Sequence, residues 1–505
     1  MPEQNINKVG MVGVGSMGSM MSLLFAEHGY QVFFFDIELG KMDETQKKAQ
    51  DLNLQKDVVR QDSYSQMCKS LSTDAQIRLI VFSIPHGSAG DKCLEGLRPY
   101  LTTGDIILDC SNEHYKNTER RQEELRPHGI FYVGCGVSGG YQSARAGPSM
   151  SPGGDREAVE RILPILRIVA AKDDGGKPCV NYIGPGGSGH FVKMLHNGIE
   201  QGMMSVIAET WYILTRGLGH SYNEAGQVLY QWNESPELSK CFLIAIGADV
   251  NREKDGKANH VVSYVQDKVV QDVDESEGTG TWTCEEAVRL HSPAATIISA
   301  HLLRCASADL TQRMKNQKVS KGTYATNPLQ VDDKDSFVDQ LRMATYFCFL
   351  LCFVQGLNIL RRKSQQKGWE INYPDLLHVW SAGSIIRADA IMSLLQPICS
   401  QPRMKSDGDD ILADQTLERE LGRSFDSTKN VVLKAVEANM IIPAISQSLE
   451  YFKYSTHTEL PTQFMEAELD YFGHHNFDIR GHGPGEAKKG SHHHEWKPAK
   501  GTSDK

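Results

Sequence analysis

At 505 residues the chain is longer than one hydrophobic core can serve, so two or three domains are expected. A charged fraction of 23% and a hydrophobic fraction of 40% are ordinary for a soluble globular protein. The formal net charge of -10, with no local basic cluster, leaves no electrostatic footprint for nucleic acid as a partner.

The polar N-terminus, Met1 to Lys8, runs straight into a strand, which argues against a secretory signal. The eleven cysteines form no CxxC pair and no zinc-like spacing, as suits a reducing, cytoplasmic setting. Strands are predicted at Lys8–Val14, Tyr30–Phe35, Leu79–Ile84, Ile106–Leu108 and Ile130–Val133, with helical segments between them and a first helix from Met17 to Glu27. Alternating strands and helices imply an α/β, Rossmann-type doubly wound parallel sheet. Gly184-Pro-Gly-Gly-Ser-Gly189 marks a boundary, and from Phe191 to about Phe452 the pattern is helical. The expected parts are therefore a dinucleotide-binding domain over 1–186, a large all-α domain over 187–457, and a C-terminal tail over 458–505. Gly217 and Gly219 should stop the first long helix. Asp332–Ser336 and Pro402–Asp410 read as polar connections. The apolar run Met343–Leu360 is broken by Gln355, Gly356 and Asn358 and flanked by Arg342 and Arg361. It reads as a buried helix, with Cys348 and Cys352 as small core residues, and not as a membrane span.

Gly13-Val-Gly-Ser-Met-Gly18 follows the first strand and opens a helix. In such a loop Gly13 allows the tight turn, Gly15 admits a pyrophosphate and Gly18 lets helix pack on strand, with Ser16 and Met17 between them. Asp36 ends the next strand, roughly the twenty residues away that the fingerprint requires. A carboxylate there accepts from the ribose hydroxyls of NAD and repels the extra phosphate of NADP, and Lys41 is the one nearby cation. NAD is therefore the expected cofactor, with NADP the alternative.

Gly189-His-Phe-Val-Lys-Met-Leu-His-Asn-Gly-Ile-Glu200 places Lys193, His196, Asn197 and Glu200 at i, i+3, i+4 and i+7, on one helical face. An amine and a carboxyl in one space can act as base and acid, provided that a closed cleft lowers the first pKa and raises the second.

With these two motifs in place, the chain resembles the decarboxylating 6-phosphogluconate dehydrogenases of the pentose phosphate pathway. Further matches are Asp109-Cys-Ser-Asn112, Gly136-Val-Ser-Gly-Gly140, Gly147–Gly154, Gly278-Thr-Gly-Thr-Trp-Thr283, Arg304-Cys305, Ile385-Ile-Arg387 and Asp470-Tyr-Phe-Gly473. The resemblance implies a homodimer whose tails cross into the partner, and a sugar acid as substrate. It implies Lys193 as base at C3, Glu200 as acid at C1, and His196 and Asn197 on the substrate hydroxyls. Asn112, Ser138, Gly139 and Gly140 would hold the carboxylate end, with Asn112 also beside the cofactor.

The chain departs from that family at the phosphate end. Gln201, Glu277 and Leu469 stand where the family has tyrosine, lysine and arginine, while Thr279, Arg304 and His475 are kept. Two lost charged hydrogen bonds would cost roughly 3–6 kcal/mol, about a hundredfold to ten-thousandfold in affinity. The expectation is thus an aldonate without phosphate as substrate, with Gln201 and Glu277 accepting from hydroxyls. Ile37 and Pro85 also replace cofactor-side cations of the family, Pro85 being followed by His86. The alternatives are an authentic NADP-dependent 6-phosphogluconate dehydrogenase and a non-catalytic nucleotide-binding paralogue. The terminal histidines, among them His474, His482 and His492–His494, lack metal-site spacing, so no metal is expected.

Overall fold

The structure is a computed structural model that describes residues 6–72, 77–272, 278–401, 410–481, 483 and 490–497. It divides into two compact units, Met1–Leu449 and Glu450–Lys505.

The first unit begins with a seven-stranded sheet. Its strands are β1 (Lys8–Val12), β2 (Gln31–Phe35), β3 (Val58–Arg60), β4 (Leu79–Phe82), β5 (Ile106–Asp109), β6 (Phe131–Ser138) and β7 (Ser149–Gly153), in the order β3-β2-β1-β4-β5-β6-β7. The first six run parallel and β7 closes the edge antiparallel to β6. Near-continuous apolar strands such as Leu-Ile-Val-Phe of β4 are what a sheet covered on both faces requires. Val9, Met11, Leu79 and Val81 pack into one core layer, and Val12, Ile80 and Phe82 into the other. The chain order reverses between β1 and β4, which opens a crevice at their carboxyl ends.

Two strands were not legible in the sequence. β3 is three residues long, and β7 is Ser-Met-Ser-Pro-Gly, a composition that reads as a turn. β6 also runs on to Ser138, beyond the predicted Val133.

Beyond Gly187 the first unit is helical. The Ser188–Tyr212 helix passes into one π turn that ends at Gly217. The Lys334–Lys367 helix is capped by Asp333, which accepts from the N–H groups of Asp335 and Ser336. The expected connection at Asp332–Ser336 is thus the start of this helix. Its apolar window is wholly buried inside the fold, as are Cys348 and Cys352. Of the second expected connection, residues 402–409 lie outside the described residues.

In the second unit, the Thr462–Gly473 helix carries Asp470, which is buried and accepts four hydrogen bonds. The donors are the Asn476 and His494 N–H groups, His493 Nδ1 and Trp496 Nε1. Burial opposes ionisation of Asp470, and these four donors outweigh it, holding the carboxyl below its ordinary value. His474 stacks on His493, and His492 bridges to Phe477, so these histidines organise the tail.

Candidate active site

The glycine loop lies just beyond β1, at the crevice. Gly13 has φ +87°, and a Cβ there would collide with the Ser83 carbonyl. Gly15 differs, since its missing Cβ faces open space with nothing within 4 Å. No side chain caps the Ser16–Glu27 helix that follows. Its first N–H groups and the gap at Gly15 fit the pyrophosphate of a dinucleotide.

Asp36 does something the fingerprint does not suggest. Its Oδ2 accepts from the Val14 N–H at 2.8 Å and its Oδ1 from the Glu38 N–H at 2.9 Å. Both carboxylate oxygens thus brace the glycine loop and the turn after β2. Lys41 is exposed and pairs with Glu38 at 2.6 Å, a contact that raises its pKa.

The Ser188–Tyr212 helix presses directly on the sheet edge. A Cβ on Gly189 would run into the Gly134 carbonyl, and one on Gly136 would sit 2.5 Å from Lys193 Cβ. This close approach sinks the polar face of the helix into the fold. Lys193 is 8% exposed, His196 1%, Asn197 8% and Gln201 4%. The Glu200 side chain remains 23% exposed, with its carboxylate 3.5 Å from His196 Nδ1.

His196 lies at the centre of a bonded group. Its Nδ1 is 3.1 Å from Asn197 Oδ1, and its Nε2 is 2.7 Å from Ser138 Oγ and 3.0 Å from Ser384 Oγ. An amide oxygen only accepts, so Nδ1 carries the proton and Nε2 is free to accept from hydroxyls. Burial, and then the charge of Lys193, push its pKa well below the usual value, so the imidazole is neutral. Asn197 Nδ2 donates to Thr279 Oγ1 at 3.1 Å, tying this face to the Thr279–Arg289 helix.

Ser138, Gly139 and Gly140 stand at the end of β6, and Asn112 is exposed on the loop after β5. Gln201 lies against Gly280 and His301. Arg304 is half-buried on the Ala295–Ala308 helix, while Glu277 lies outside the described residues. His475 belongs to the second unit and is exposed there.

Sequence reasoning missed two groups. Ser384 and Ile385 close over Ser138 and His196, the Ile385 N–H donating to Ser138 Oγ at 3.3 Å. Their only sequence signal was the matched motif Ile385-Ile-Arg387, to which no role had been given. Trp282 meets His86 and His114 edge-on, at centroid distances of 5.1 and 5.0 Å, and so joins the loops after β4 and β5 to the helical part. Pairings so distant in sequence carry no local pattern.

Residues 8–184 match the NAD binding domain of 6-phosphogluconate dehydrogenase, and residues 189–496 match the C-terminal domain of 6-phosphogluconate dehydrogenase. The chain belongs to the 6-phosphogluconate dehydrogenase family. It is an NAD(P)-dependent decarboxylating dehydrogenase. The decarboxylating 6-phosphogluconate dehydrogenase of Emericella nidulans is 40% identical over 499 residues, covering 96% of this chain and all of that one. That of Escherichia coli is 33% identical over 489 residues, 97% and 99% of the two chains. The Plasmodium falciparum 6-phosphogluconate dehydrogenase, solved apo, with NADP+ and with 6-phosphogluconate, superimposes with a TM-score of 0.85. It is 30% identical and covers 97% of this chain and 100% of that one.

Two expectations are corrected by these relatives. NAD as the main cofactor is overturned, because the Plasmodium falciparum enzyme, which shares the fold over 97% of this chain, is one solved with NADP+. The physical reason lies in Asp36, whose two oxygens are already committed to backbone N–H groups, so its presence does not report on the ribose. A substrate other than 6-phosphogluconate is overturned by the same enzyme and by the decarboxylating relatives. The two lost cations would have shared one phosphate, and contacts that share one group are not additive, so their summed cost is too large. Gln201 is also not an acceptor only, since a carboxamide donates as well.

Proposed function

We propose that this protein carries out NADP-dependent oxidative decarboxylation of 6-phosphogluconate. The observation that carries the reading is the Lys193–His196–Asn197–Glu200 face, its first three members buried, in one unit with a glycine loop fit for a dinucleotide. The matches along the whole chain to enzymes of that name support it.

Lys193 takes the proton of the C3 hydroxyl. The bound nicotinamide supplies the acceptor for the C3 hydride. The resulting β-keto acid releases carbon dioxide, and Glu200, the most exposed member of the face, delivers a proton to C1 of the enediol. Neutral His196 and Asn197 orient hydroxyls, with no charge to compete with Lys193 for a proton. Asn112, Ser138, Gly139 and Gly140 hold the carboxylate end. Thr279, Arg304 and the Gln201 amide serve the phosphate, joined by the partner's His475. Gly13, Gly15, Ser16, Met17 and Gly18 cradle the pyrophosphate, and Lys41 offers positive charge to the 2′-phosphate. Its exposed pair with Glu38 is worth at most about 1 kcal/mol and is readily exchanged.

We infer a homodimer with tails that complete the partner's site. The exposed Phe464, Tyr471 and Phe472 of the Thr462–Gly473 helix support this, as an apolar surface wanting cover. Parallel kcat/KM measurements on 6-phosphogluconate and gluconate, each with NADP and NAD, test the function. The expected preference is for 6-phosphogluconate with NADP, and Lys193→Ala should lose turnover while still binding NADP. A preference for gluconate would sink the reading.

A further inference from the structure

Arg289 is far in sequence from the adjacent Arg361 and Arg362, yet the three line one solvent-open cavity of about 450 Å³ together with His291, Gln365 and Gln366. Among the described residues none of the three makes a salt bridge, in a chain of net charge -10. Glu286, buried on the same helix as Arg289, is engaged by Lys363 at 2.8 Å and by Tyr115 at 3.0 Å. Arg361 is 7% exposed, and its Nε has no hydrogen-bond partner. A buried guanidinium donor without an acceptor is costly and calls for one. Arg362 is fixed over the end of the Thr279–Arg289 helix by Nη1, which donates to the carbonyls of Leu290 and His291 at 3.0 and 2.7 Å. That contact holds the guanidinium through one nitrogen at the negative end of the helix dipole, and among the described residues no carboxylate pairs with it.

We propose that this cavity is a second anion site, built for the pyrophosphate group of a small phosphorylated ligand. Planar guanidinium forks match phosphate oxygens two at a time, and the volume lies in the range of small-molecule pockets. The site is separate from the catalytic face. Thr279 and Arg289 stand at opposite ends of one eleven-residue helix, about 15 Å apart at 1.5 Å per residue.

Calorimetric titration of the full chain saturated with NADP, which fills the glycine loop, with inorganic pyrophosphate, and separately with ADP, tests the site. Binding should weaken about ten- to a hundredfold in Arg289→Gln/Arg362→Gln, with 6-phosphogluconate turnover unchanged. It should persist in Arg304→Gln, which alters the catalytic site instead. Equal affinities would mean that the phosphates alone are read; tighter ADP would mean that a nucleoside is read as well. No binding to the wild type, undiminished binding in the double variant, or loss in Arg304→Gln would overturn the proposal.

Discussion

Asp36 shows how one residue can be placed correctly from sequence and still be misread. Its position at the end of the second strand was legible, because an apolar run and a glycine fingerprint fix it. Its partners were not, because Val14 and Glu38 offer only backbone N–H groups, which every sequence has. If Asp36 is a brace, Asp36→Ala frees two loop amides and loosens the glycine turn. Each lost charged hydrogen bond is worth about 1.5–3 kcal/mol, so the dissociation constants of NADP and NAD should both rise at least about tenfold. Their ratio should stay where it was. A variant that tightens on NADP alone would show that the carboxylate discriminates at the ribose after all.

The Ser188–Tyr212 helix joins catalysis to architecture along its length. Its polar face was legible as a 3.6-residue pattern, but the depth to which that face sinks was not, since depth depends on glycines of β6 and on the helix itself meeting in space. At its far end Glu209, 2% exposed, accepts from the Ala444 and Ile445 N–H groups at the start of the Pro443–Thr456 helix and from Ser205. Burial dominates these three contacts and pushes its pKa up from 4.5 to about 7. The folded state therefore binds this proton more tightly than the unfolded chain. Its contribution to stability is whole below the unfolded pKa and is lost as pH rises from there through about 7, a change of about 3 kcal/mol. Glu209→Gln removes the titration. The melting temperature of the variant relative to wild type should rise steadily from about pH 5 to pH 8, as this linkage requires. A constant difference across that range would mean that Glu209 does not titrate there.

Across the whole chain, the catalytic face and the glycine loop lie in the first unit, while His475 and an exposed apolar helix lie in the second. The tail's ending in glycine, histidine, lysine and proline gave no element to predict, and the Thr462–Gly473 helix before that ending was missed with it. What organises it is one buried carboxylate, Asp470, collecting donors from as far along as Trp496. Such a small unit, with Phe464 71% and Phe472 71% exposed, is built to be covered. If a second copy covers it, removing residues 458–505 should have two linked effects. Sedimentation should change from dimer to monomer, and turnover of 6-phosphogluconate should fall below detection for want of His475. NADP binding should survive, because Gly13 to Gly18 and Asp36 form their contacts within the first unit. Asp470→Asn is the milder partner experiment, since it weakens the tail's internal hub while keeping every residue of the chain. It should lower turnover and dimer stability together. Full activity of the truncated monomer would remove both the shared site and the role of His475.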